Sequence, residues 1–109
     1  MATIFKNKVI KDVGELPIIA IETDSSTRST IIGFNLANLT DNVVMANVLI
    51  NDDTSVQGYF MKDVMVPANS SLRALSAGEK LILAPSNTLL VQSDQNDSLD
   101  VVISYVDIV

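Results

Sequence analysis

The side chains able to do chemistry here are carboxylates, hydroxyls and seven Lys and Arg, because the chain has no His and no Cys. Without His, the serines lack the commonest base for making a hydroxyl nucleophilic, and the commonest transition-metal ligand is missing too. Without Cys, neither a disulfide framework nor a thiolate metal site can form. A Ser–Lys dyad is the remaining route to a nucleophile. Lys62 and Lys80 lie in strand-like contexts, and no serine is marked out as a partner for either. Asp52 and Asp53 are adjacent carboxylates, but they fall in Asn51-Asp52-Asp53-Thr54-Ser55, a turn in which Asp is favoured for its backbone hydrogen bonds. The glycines Gly14, Gly33, Gly58 and Gly78 are scattered and make no phosphate-cradling loop.

Oxygen ligands cluster once, as Asp94, Asn96, Asp97 and Asp100 in SDQNDSLD. A calcium loop of the EF-hand kind needs Gly at its sixth position and a distant Glu. Counted from Asp94, the sixth residue is Leu99 and no Glu follows, so the segment reads as a polar hairpin loop. Sugar-binding sandwiches lean on exposed aromatic platforms, whereas this chain has no Trp and its two tyrosines, Tyr59 and Tyr105, sit inside strand-like phrases. They are read as core or interface. The expectation is a protein without catalytic, metal or cofactor-binding residues, and not an enzyme.

The elements that would position any site are strands. From Gly58 to Val109 the text divides into five β-rich phrases, YFMKDVMV, SLRAL, EKLILA, TLLVQS and SLDVVISYVDIV, each bounded by Pro, Asn, Ser, Gly or Asp. In the N-terminal half, Leu16 to Glu22 is a short apolar strand with Pro17 near its start. Thr30 to Asn38 is expected to place Ile32, Phe34 and Leu36 on one face, with Ile31, Gly33, Asn35 and Ala37 on the other. Val43 to Ile50 sets Val44, Ala46, Val48 and Ile50 against Val43, Met45, Asn47 and Leu49. No sustained helical period occurs, and only Ser70–Ala77 reads as a possible single helical turn. About eight strands at spacings near 10 residues predict an all-β fold, a single antiparallel β-sandwich that is immunoglobulin-like or jelly-roll-like. Residues 1–13 are expected to be an N-terminal arm or edge strand and residues 14–109 the sandwich.

Charge and hydropathy bear on partners. A net charge of -6 disfavours nucleic acid and anionic membranes, which both require a basic face. No apolar run approaches the roughly 18 residues of a membrane span, and MATIFKNKVIKDV lacks the apolar stretch of a signal peptide, so use without secretion is expected. The chain is 48% hydrophobic and only 18% charged, with a mean hydropathy of +0.34. Average domains carry about 25% charged residues. Asp100–Val109 is apolar on both faces, with Val101, Ile103 and Tyr105 on one and Val102, Val106 and Ile108 on the other. Met45, Met61 and Met65 add adaptable apolar side chains. This excess points to a homo-oligomer or a permanent partner.

The phrases MATIFKN, IIGFNLANLT, YFMKDVMVPANSSLRAL, GEKLILAPSNTLLVQS and SLDVVISYVDIV together resemble a family of small structural proteins of tailed bacteriophages, many of them from marine phages and cyanophages. The likeness is carried by Tyr59, Lys62, Asp63, Pro67, Ser70, Ser71 and Leu72, then by Gly78 to Leu81, Leu83, Pro85, Leu89 and Val91, and last by Ser104, Tyr105 and Val106. Where that family often has Gly-Asp after the proline, this chain has Ser86-Asn87. The resemblance implies a virion protein assembled in the host cytoplasm, of the capsid-decoration or cement type. Its partners would be the major capsid protein or other virion subunits, and it would itself form a trimer or dimer. The alternative is a tail, neck or fibre-associated subunit that contacts the host surface. Ile4, Phe5, Lys6 and Lys8, in the stretch that also carries Lys11, are the expected partner-binding residues, through addition of a strand to a neighbour's open edge.

Overall fold

The computed structural model describes residues 2–76 and 78–109, and among these it holds nine β-strands and no helix. They are β1 (Thr3–Val13), β2 (Ile18–Glu22), β3 (Arg28–Asn38), β4 (Val44–Asn51), β5 (Gln57–Val66), β6 (Ser71–Arg73), β7 (Leu81–Leu83), β8 (Thr88–Ser93) and β9 (Leu99–Ile108). The five phrases after Gly58 become β5 to β9. Every pairing is antiparallel. One sheet runs β1-β9-β3, with β6 and β7 both on the far side of β3, and the other runs β2-β8-β4-β5.

β6 pairs with Asn35–Ala37 and β7 with Ser29–Ile31, so the two are halves of one strand parted by residues 74–80. Counted as one, they bring the total to eight. The sheet orders then become first–eighth–third–sixth and second–seventh–fourth–fifth, the nested Greek keys of a jelly roll and not an immunoglobulin order. The antiparallel β-sandwich expected from the sequence is the fold that forms, and the topology selects its jelly-roll version.

Alternation builds the core. Val44, Ala46 and Val48 of β4 and Leu89 and Val91 of β8 point inward from one sheet, to meet Phe34 and Leu36 of β3 and Val101 and Ile103 of β9. Ile32 departs from its expected place beside Phe34. The β3–β9 register slips between Ile31 and Gly33, so Ile32 is the extra residue of a β-bulge. The bulge turns Ile31 into the core and Ile32 out to solvent. The helical turn expected at Ser70–Ala77 does not form over Ser71–Arg73, which is β6, because pairing with β3 satisfies its backbone; Ala77 lies outside the described residues. In the turn after Pro85 the positive φ of 62° falls on Ser86, while Asn87 is buried with its N–H donated to the Thr23 hydroxyl.

Three buried polar groups close the ends of the sandwich. Asn38 Nδ2 donates to the carbonyls of Asn42, Val66 and Pro67, and its Oδ1 accepts from the Thr40 N–H and hydroxyl, which joins β3 to the end of β5. The Thr23 hydroxyl donates to the Ala84 carbonyl at 2.7 Å. The Ser93 and Ser98 hydroxyls meet beneath the β8–β9 turn. Each satisfies backbone groups that would otherwise be stranded away from water.

β1 lies at an edge of the first sheet. From Thr3 to Ile10 it pairs without interruption with β9, and beyond Ile10 a bulge carries Asp12 at a φ of 55°. Asp100 holds that bulge, accepting from the Asp12 N–H at 3.1 Å and from Lys11 Nζ at 3.0 Å. Ala2 and Val109 exchange both of their backbone hydrogen bonds at 3.0 Å, so the first and last described residues are neighbours.

Candidate interaction surface

Lys6, Asp107 and Ser29 form a polar group that spans three strands. Asp107 is only 9% exposed, its Oδ2 lies 3.0 Å from Lys6 Nζ, and its Oδ1 accepts from the Ser29 hydroxyl at 2.5 Å. The hydrogen bond from Lys6 to Asp107, and then the charge of that carboxylate, raise the Lys6 pKa above the ordinary lysine value. The Ser29 hydroxyl donates to Asp107 and not to Lys6, so the three are not arranged as a Ser–Lys dyad. It ties β1, β9 and β3 together side by side. It also floors an open cleft of about 400 Å³ at the mouth of the sandwich, between β1 and β2, into which Ile4, Lys6 and Lys8 project.

Three of the four loop residues read for calcium, Asp94, Asn96 and Asp100, turn their oxygens to separate neighbours. Asp94 accepts from the Met45 N–H, Asn96 from the Glu15 N–H, and Asp100 from Asp12 and Lys11. Asp52 caps its own turn, accepting from the Thr54 hydroxyl and from the N–H groups of Thr54 and Val56. The Thr54 hydroxyl, and then those N–H donors, lower the Asp52 pKa. These carboxylates shape turns.

The outward face of the β1-β9-β3 sheet is a different kind of surface. Residues paired across strands share a face. One row across it is Phe5, Val106, Thr30 and Ile82, from β1, β9, β3 and β7. A parallel row is Val9, Val102, Asn35 and Arg73. Between them run only small side chains, Asn7, Ser104 and Gly33. Phe5 is 76% exposed, Ile82 65% and Val9 56%, and the bulged Ile32 adds to the same face. The positive charges at its rim, Arg28 and Arg73, have no ion pair among the described residues. The outer face of the second sheet carries its own apolar row, Ile19, Leu90, Leu49 and Tyr59, with Met45 opposite Met65 beyond it. Lys62 Nζ stands 5.3 Å from the Tyr59 ring centroid, a cation–π arrangement.

The four residues read from the sequence as partner-binding all lie on β1, but alternation divides them. Phe5 belongs to the outer apolar face, whereas Ile4, Lys6 and Lys8 face the cleft. Sequence reasoning missed Val9, Ile32 and Ile82. The run Leu81-Ile82-Leu83 held a signal for Ile82, since three consecutive apolar residues on a strand must expose the middle one if the outer two are buried. Ile32 gave none, because its bulge depends on pairing with β9.

No family model matches the chain, and no curated protein matches it in sequence. Solved structures do match it. One is a chain from Bacillus endospore appendages, described as a family of disulfide-linked pili, with a TM-score of 0.57 and 7% identity over 96% of this chain and 86% of that one. Another is a chain from the acid-stable capsid of Helicobacter pylori bacteriophage KHP30, with a TM-score of 0.52 and 5% identity over 100% of this chain and 89% of that one. At such identities the likeness is one of fold. The chain is a small jelly roll with apolar outer faces, similar in fold to a pilus chain and a phage-capsid chain.

Proposed function

We propose that the chain is a virion structural protein, a capsid-decoration (cement) subunit that binds and stabilises the head lattice of a tailed phage of the marine or cyanophage type. The observation that carries this reading is the apolar outer face centred on Phe5, Val9, Val102 and Ile82, which a solitary sandwich in water would not retain. The capsid chain that shares the fold supports it as well: it is matched over 89% of its length, and so is a capsid component of nearly this size. A subunit of this kind acts by contact, without catalysis or cofactor. It touches several lattice copies at once, so that modest contacts become firm through effective concentration. The major capsid protein is the partner, with trimeric or dimeric self-association on the apolar faces and no role for nucleic acid or membrane. The pilus comparison fits less well, because a chain without cysteine cannot form disulfide links between subunits.

Quantitative mass spectrometry of purified particles tests the proposal. Decoration predicts one copy or one oligomer per repeating lattice position. A few copies per particle would instead favour a tail, neck or fibre subunit, and absence from particles would overturn the virion reading.

A further inference from the structure

The four edges of the two sheets are unequal. β2 has five residues and a register slip at Ala20. β5 slips twice against β4 and carries Asp63 at a φ of 50°. β6 and β7 are three residues each, on either side of a loop. Short, bulged and broken edges are the usual ways a sheet avoids unwanted pairing. β1 alone offers a long regular edge, eight residues from Thr3 to Ile10 without a slip.

The register says which backbone groups that edge presents. Ala2 and Val109 form a doubly bonded pair, and partners alternate in an antiparallel ladder. Ile4, Lys6 and Lys8 therefore bond to β9, while Thr3, Phe5, Asn7 and Val9 direct their N–H and C=O groups away from it. A strand laid there would set its side chains alternately beside Phe5 and Val9 on the outer face and beside Lys6 and Lys8 over the cleft. Lys6 is already paired with Asp107 and Lys11 with Asp100, but Lys8 has no ion pair among the described residues. Glu22 and Asp24 line the opposite wall of the cleft. The charge pattern thus calls for a single carboxylate near Lys8 and not for an acidic run.

A second copy fits poorly. Two β1 edges centred on Asn7 would set Lys6 against Lys8, and centred on Lys6 they would set the two Lys6 ammoniums together, both like-charge pairs. Centred on Phe5 they avoid this but give Lys8 no carboxylate. The other three edges of a second copy are too short or too broken to lie along Thr3–Ile10.

We propose that the free edge of β1 is a strand-acceptor site, taking an extended segment of another protein that places a carboxylate opposite Lys8 and apolar side chains beside Phe5 and Val9. This rests on the virion reading only for the source of that segment, a lattice subunit.

Amide exchange by NMR tests it, with a capped peptide of about eight residues, enough to span the edge. The peptide alternates valine with threonine and has one threonine replaced by glutamate; its control carries lysine there. In the free protein, Ile4, Lys6 and Lys8 should exchange slowly and Phe5, Asn7 and Val9 quickly. Millimolar glutamate peptide should slow those three amides by about tenfold, and the lysine peptide should not. Asn7→Pro removes an outward N–H without touching the β9 ladder, so the slowing should vanish while Ile4 and Lys8 stay protected. Should that variant unfold, Lys8→Glu decides, since it should reverse the preference between the peptides. The proposal is overturned if the three amides are already protected in the free protein in a concentration-dependent way, if both peptides act alike, or if Asn7→Pro still responds. Particles that bind Asn7→Pro as well as they bind the wild-type chain would also overturn it, and would leave the lattice-binding function standing.

Discussion

Asn38 is 4% exposed, and its amide shares two N–H groups among three carbonyls while its oxygen accepts twice. Asn38→Ala strands those carbonyls in the interior and should cost about 3 kcal/mol, lowering the melting temperature by roughly 15 °C. Asn38→Asp keeps the acceptor but loses both donors and sets a buried charge against carbonyl oxygens, so it should cost at least as much; thermal melts of the two variants check this. Two glycines separate in the same way. A Cβ on Gly14 would stand 2.6 Å from Asn96 Oδ1 and 3.2 Å from its Cα, so Gly14→Ala should destabilise by about 1–3 kcal/mol. A Cβ on Gly33 would meet Ser104 at an ordinary 3.5 Å, and Gly33→Ala should fall within about 0.5 kcal/mol of the parent in denaturant midpoints.

At the scale of strands, the apolar outer face separates folding from contact. Phe5→Asp and Ile82→Asp alter exposed side chains, so melting should hardly move, within about 0.5 kcal/mol. Particle binding in a co-sedimentation assay should be lost in both; retention would remove this face from the function. Much of this architecture was legible beforehand. The phrases after Gly58 mark five strands because turn residues punctuate them, and Val44, Ala46 and Val48 sit inward as their alternation requires. Ile32 was not legible, because its side is decided by a bulge that exists only when β3 lies against β9. SLRAL reads both as a β-rich phrase and, within Ser70–Ala77, as a helical turn, and its pairing with Asn35–Ala37 of β3, remote in sequence, decides for the strand. Of the interaction surface, the apolar character of both faces of β9 could be read from period two alone. The row from Phe5 to Ile82 could not, because it assembles four strands distant in sequence.

For the molecule as a whole, pH acts on stability from both sides. Backbone N–H from Ser26 foremost lowers the pKa of Asp24, and the Ser76 hydroxyl and N–H lower that of Glu79. Burial by itself would raise Asp100, but the Asp12 N–H and Lys11 outweigh it and lower it. Groups whose pKa is lower folded than unfolded stabilise the fold fully above their ordinary values, 3.8 for Asp and 4.5 for Glu, and that help is lost as the pH falls through their folded values. Lys6 and Lys11 are raised, foremost by hydrogen bonds to Asp107 and Asp100, so their help is present below 10.5 and is lost as the pH rises through their folded values. Urea midpoints should therefore form a plateau between these limits. Near the isoelectric point of about 4.2 the repulsion among copies disappears while the apolar faces remain, and light scattering should rise there, less so for Phe5→Asp. The pairing of Ala2 with Val109 has a mechanical consequence. A load that pulls Ala2 and Val109 apart would peel β1 from β9 one hydrogen bond after another, starting where they meet. A load directed along β1 from a neighbouring strand would instead strain the whole ladder in shear at once. The same strand is thus a weak zipper when pulled from its end and a strong seam when pulled along its length.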